Sequence, residues 1–147
     1  MIDKDFVKEK INLITRDLER LEIFSGLTFS QVAEDFVKYA ATKNILMEII
    51  GRGIDINEHL IAELADTKFD APKTYKETFL ILKDLKILPE NFAKEISKSA
   101  GFRNAIVHEY NNLDKNQVYR TIGEAIKQYT KYCDYILKFL KKYEKQS

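Results

Sequence analysis

Arg103, His108 and Tyr110 stand in the spacing Arg-x4-His-x-Tyr, within the ten residues Gly101-Phe102-Arg103-Asn104-Ala105-Ile106-Val107-His108-Glu109-Tyr110. All three side chains can act on phosphate chemistry. A histidine can take the proton of a ribose 2′-hydroxyl or return one to a leaving oxygen, a contribution of about 10²- to 10⁴-fold. An arginine can hold a phosphate and stabilise the charge that develops on it. Together they suit cleavage of RNA without a metal. The bland alternative makes Arg103 a structural ion-pair residue and His108 a cap near a helix C-terminus, where its cationic form is favoured. A pattern this short also arises by chance in helical chains.

The elements that must position these residues read as helices throughout. Apolar residues from Phe6 to Leu21 recur at helical spacing until Ser25-Gly26 interrupts them. A second, longer pattern runs from about Phe29 to Leu64; Gly51 and Gly53 each cost about 1 kcal/mol in a helix interior, so a kink or break is expected there. Thr74-x-x-Glu77 forms a capping box for a short third helix, and Pro89 suits the first turn of a fourth that carries the motif. Asp114-x-x-Gln117 resembles a further capping box, opening a fifth helix through Val118, Ile122, Ile126, Tyr129, Cys133, Ile136 and Leu140. The expected architecture is an all-α, up-and-down antiparallel bundle of about five helices.

On the fourth helix, with Phe92 as zero and about 100° per residue, Ile96, Arg103, Ile106 and Tyr110 fall at roughly 40°, 20°, −40° and 0°. Arg103 therefore lies inside the apolar stripe, where its guanidinium must be paired, reach a cleft or face a partner. Tyr110 shares that stripe and reads equally as a core tyrosine. His108 and Asn104 fall near 160° and 120°, an i, i+4 pair on one flank. A straight helix does not bring Arg103 and His108 of one chain together. Either the helix loosens near its end, or the arginine of one chain meets the histidine of another across a symmetric dimer.

Composition sets the remaining bounds. The 147 residues, 45% hydrophobic and 32% charged, fit one domain spanning 1–147 with a real core. The net charge of +1 gives no overall field for nucleic acid, so any RNA contact must come from a local patch. A lone Cys133 forms no internal disulfide and reads as a small core residue. The N-terminus lacks the features of a signal peptide, and no apolar run approaches the roughly 20 residues of a membrane span. A cytoplasmic chain is expected. The lysine-rich end, Lys138 to Lys145, reads as a solvated helix terminus, and Tyr129, Tyr132 and Tyr135 as packing residues. Asp55, His59 and Glu63 align at i, i+4, i+8, but no second ligand-bearing helix accompanies them, so an ion-paired face is expected rather than a metal site.

The motif, with Asn111-Asn112-Leu113-Asp114 after it, resembles the signature of the HEPN superfamily and specifically its HepT-like branch of small helical toxins. The likeness extends to Ile54-Asp55-Ile56-Asn57-Glu58-His59-Leu60-Ile61-Ala62 and to Pro72-Lys73-Thr74-Tyr75-Lys76-Glu77, from about residue 30 onward. The resemblance implies a metal-independent endoribonuclease toxin, with no cofactor, that cleaves tRNA or mRNA in a homodimer whose cleft is lined by Arg and His of both chains. It gives Arg103 and His108 the catalytic positions and Asn104 the polar position after the arginine. Asp55 and His59 would border the cleft in support. It also implies a cognate minimal nucleotidyltransferase antitoxin that transfers AMP from ATP to the motif tyrosine, Tyr110, placing bulk and negative charge beside Arg103. The rival expectation is a non-catalytic subunit that binds a nucleotide or partner within a nucleotidyltransferase complex.

Overall fold

The computed structural model describes residues 1–65, 71–108 and 112–146. Six helices follow in order: α1 (Lys4–Ser25), α2 (Phe29–Ala33), α3 (Phe36–Leu64), α4 (Tyr75–Asp84), α5 (Glu90–His108) and α6 (Lys115–Gln146). No strand occurs among the described residues. The all-α expectation holds, with one helix more than the periodicity suggested.

The extra helix comes from caps that apolar spacing does not register. Thr28 and Gln31 form a complete capping box that starts α2, and the Asp35 carboxylate accepts from Lys38 N to start α3. The long pattern from Phe29 to Leu64 therefore divides at Glu34–Asp35. It does not divide at Gly51 or Gly53, where α3 runs on as α-helix. No break occurs there, and these glycines let neighbours approach. A Cβ on Gly53 would lie 2.9 Å from Tyr129 Cε1, closer than packed atoms come, and one on Gly51 would lie 3.5 Å from Arg103 Nε. The two predicted caps are present in modified form. Thr74 accepts from Glu77 N while Glu77 reaches back to Lys73 N, and Asp114 accepts from Asn116 N.

α3 is the central helix, touching every other one. α1 runs antiparallel to it, since Asp17 pairs with Arg52, Lys10 with Asp55, and Asp3 N donates to His59 Nε2. α6 packs against both α1 and α3, bringing Tyr129 and Tyr132 into a core with Leu46, Ile49, Ile50, Leu60 and Phe79. Both tyrosines are buried, as is Cys133, in agreement with the packing roles read from the sequence; burial pushes the Cys133 thiol up to about 12. Buried hydroxyls need partners. The Tyr132 hydroxyl donates toward Asn57 Oδ1 (2.6 Å) and the Gly53 carbonyl (3.0 Å), Asn57 Nδ2 donates to Thr78 Oγ1 (3.1 Å), and Thr78 Oγ1 donates to the Tyr75 carbonyl (2.6 Å). This chain of bonds crosses the bundle from α6 through α3 to the first residue of α4.

Candidate active site

Arg103 lies where α5 crosses α3 and the start of α4. Its guanidinium carbon sits 5.4 Å from the centre of the Tyr75 ring. The missing side chain of Gly51 leaves room for Nε against α3. That Nε is buried, and it is the one buried side-chain polar atom without a hydrogen-bond partner among the described residues. Among the described residues no carboxylate pairs with the guanidinium, and the arginine as a whole is half-buried. The sequence required a cation in this stripe to be paired, reach a cleft or face a partner, and no described acid pairs with it. An aromatic face is a favourable seat for a guanidinium, worth about 0.5–1 kcal/mol where partly exposed.

His108 is the last described residue of α5 and is exposed, as is Asn104 one turn before it. α5 keeps α-helical geometry through His108, so no loosening up to that residue turns the imidazole toward Arg103. Five residues at about 100° each leave the two side chains on different faces. Tyr110 lies outside the described residues.

Asp55 and His59 sit on the face of α3 that meets α1. Asp55 pairs with Lys10 at 3.1 Å, His59 accepts from Asp3 N at 2.9 Å, and the His59 ring packs on Phe6 with centroids 5.2 Å apart. Glu63, the third member of that row, pairs with the Met1 amine. The row is the ion-paired face expected from its spacing, and among the described residues no three such side chains gather as a metal-binding group. The sequence reading missed Tyr75 and Gly51 as parts of the Arg103 seat. Tyr75 lay in a stretch already singled out, but only the α4–α5 crossing joins it to Arg103.

Residues 14–136 match the family described as Ribonuclease HepT-like. The chain is 33% identical over 139 residues to a tRNA nuclease HepT of Aphanizomenon flos-aquae, covering 95% of this chain and 92% of that protein. It is 23% identical to an mRNA nuclease HepT of Shewanella oneidensis, covering 90% and 96%. Its fold matches that of the tri-AMPylated HEPN toxin of Shewanella oneidensis, solved in complex with its MNT antitoxin, with a TM-score of 0.79 at 22% identity over 90% of this chain and 97% of that one. This chain belongs to the HepT-like ribonuclease family. Among the described residues no helix is long and apolar enough to cross a membrane.

Proposed function

We propose that the chain is a metal-independent RNA endonuclease acting as a homodimer, with Arg103 and His108 from both protomers lining one cleft. The observation that carries this reading is the seat of Arg103: a half-buried arginine whose guanidinium lies on the Tyr75 ring without a described acidic partner. Such a group holds a phosphate oxygen bidentately without first breaking an ion pair. His108, free at a helix end, takes the proton as the 2′-oxygen attacks phosphorus, and a histidine returns one to the departing 5′-oxygen. Because Arg103 and His108 diverge on one α5, a two-chain cleft supplies the pairing. Asn104 lies on the His108 flank and orients substrate. Asp55 and His59 support the site indirectly by fixing α1 against α3.

Regulation follows the same chemistry. In this reading the partner is a minimal nucleotidyltransferase antitoxin, the kind of protein that accompanies the AMPylated structural relative. The Tyr110 phenol attacks the α-phosphorus of ATP, pyrophosphate leaves, and the bound AMP blocks the phosphate site beside Arg103.

The test is cleavage of labelled tRNA and mRNA in EDTA by the wild type, Arg103→Ala and His108→Ala. We expect cuts by the wild type and a loss of about 10²- to 10⁴-fold in His108→Ala, whose exposed side chain leaves the fold untouched. RNA cut equally by the wild type and His108→Ala, or left intact by the wild type, refutes the assignment.

A further inference from the structure

Along α6, Arg120, Lys127, Lys131, Lys138 and Lys142 are all exposed. Their steps of seven, four, seven and four residues confine them to about 60° of arc at about 100° per residue, a stripe about 33 Å long at 1.5 Å rise. The stripe borders concave surface. Arg120, Lys127 and Lys131 line a groove of about 930 Å³ between α5 and α6. Lys138 and Lys142 line a second, of about 500 Å³, beside the α4–α5 connection, and Tyr135 lines both and joins them. The first groove exists because α5 and α6 barely touch, bridged by the Phe92 and Tyr135 rings, 5.0 Å apart, and by Ser99 and Tyr129 hydroxyls at 2.7 Å.

Among the described residues no ion pair engages any of these five cations, whereas Glu144, elsewhere on α6, faces Lys4 and Lys8 of α1. Glu124 is the one carboxylate within the stripe's arc between Arg120 and Lys142, and the two others lining the grooves, Glu95 and Glu90, are paired with Lys98 and Lys94 of α5. In a chain of net charge +1 this is local segregation of charge. Between the cations, Phe92, Tyr135 and Phe139 are half-buried, each leaving part of a ring accessible. Phe102, which precedes Arg103, and Ile50, which precedes Gly51, also line the groove, on the neighbouring face of α5 from the guanidinium seat.

We propose that these joined grooves hold a stretch of the RNA substrate outside the Arg103 site, with phosphates on the α6 cations and bases against the ring edges. The inference rests on the reading above that RNA is the substrate. Cations in a groove with interleaved aromatic rings suit a single strand, because every base offers a face for stacking, and they favour RNA over an acidic protein surface. Lys138 and Lys142, taken from the sequence as a solvated helix end, belong to this track.

The experiment measures fluorescence anisotropy of a labelled 20-nucleotide single-stranded RNA and of tRNA across a salt series. It uses His108→Ala protein, and the same protein carrying Lys127→Glu, Lys131→Glu and Lys138→Glu. A charge-matched control carries Lys8→Glu, Arg16→Glu and Lys94→Glu, which lie off the track, and circular dichroism checks folding. We expect the track variant to bind at least tenfold more weakly and its slope of log affinity against log salt to shrink by about 2, given about 0.7 per phosphate contact on a single strand. The control should keep both. Unchanged affinity and slope in the track variant overturn the proposal, and so does an equal loss in the control. Light scattering that shows a changed oligomeric mass with RNA affinity intact overturns it too, making the face an interface between copies. Track-dependent binding with no cleavage by the wild type leaves the track standing and sinks the nuclease reading.

Discussion

Replacing Arg103 with methionine should stabilise the protein while abolishing cleavage. The Nε of Arg103 is buried without a hydrogen-bond partner among the described residues, and a buried unsatisfied donor costs about 1–3 kcal/mol. Methionine has a similar reach and helix propensity, fills the gap over Gly51 and carries no donor. What it forfeits is the guanidinium–ring contact with Tyr75, about 0.5–1 kcal/mol at a ring that is 42% exposed. The balance is a gain of roughly 0–2.5 kcal/mol, a rise of up to several degrees in Tm for a chain of this size. The assay is urea or thermal unfolding at fixed protein concentration, beside RNA cleavage. A loss of more than about 1 kcal/mol would refute the reasoning, because it would mean that Arg103 is satisfied by a structural partner.

Two further outcomes follow from the local geometry. Gly51→Ala places its Cβ in ordinary contact with Arg103 Nε and gains helix propensity, so stability should rise by up to about 1 kcal/mol; Gly53→Ala drives a Cβ into the Tyr129 ring, which Ser99 holds in place, and should cost about 1–3 kcal/mol, both read from urea midpoints. The hydrogen bonds that the Lys38 backbone and side chain give Asp35 hold its carboxyl below the usual 3.8, so its contribution is full above that value and is lost as pH falls through the lowered one. Asp35→Ala should therefore lose stability at pH 7 and show a flatter stability curve on the acid side; an unaltered acid limb would count against the cap.

How far the sequence could be read depends on which interactions are local. Helix periods, the Thr74 cap and the helix after Asp114 repeat every three or four residues and were legible. The α2–α3 break was not, because Phe36 and Val37 continue an apolar rhythm although they lie 86% and 73% exposed. Only the Asp35 cap marks the boundary. Gly51 and Gly53 were visible, but the close approach they permit was not: a glycine inside a helix signals either weakness or close approach, and the choice depends on what faces it. At the candidate site, the position of Arg103 on the inner stripe followed from angles alone. Its seat did not, since Tyr75 and Gly51 reach it from 28 and 52 positions upstream in the chain.

The buried polar chain gives that seat its rigidity. Tyr75 opens α4, and helix ends fray unless something holds them. Here the Tyr75 carbonyl accepts from Thr78, Thr78 accepts from Asn57 at mid-α3, and Asn57 accepts from Tyr132 of α6. The bonds from Tyr132 to Asn57 and from Asn57 to Thr78 are made in the core, where a missing partner would be costly, and the bond to Tyr75 lies at its edge, so the backbone that carries the Tyr75 ring is tied through α4 to α3 and α6. Arg103 is therefore held on a fixed platform, while His108 stands at the exposed end of α5, on another face of the same helix. Within one protomer the platform and the proton carrier are separate; two protomers pairing through this end of α5 would set each fixed arginine against the other's histidine, which is why the proposed chemistry requires the dimer.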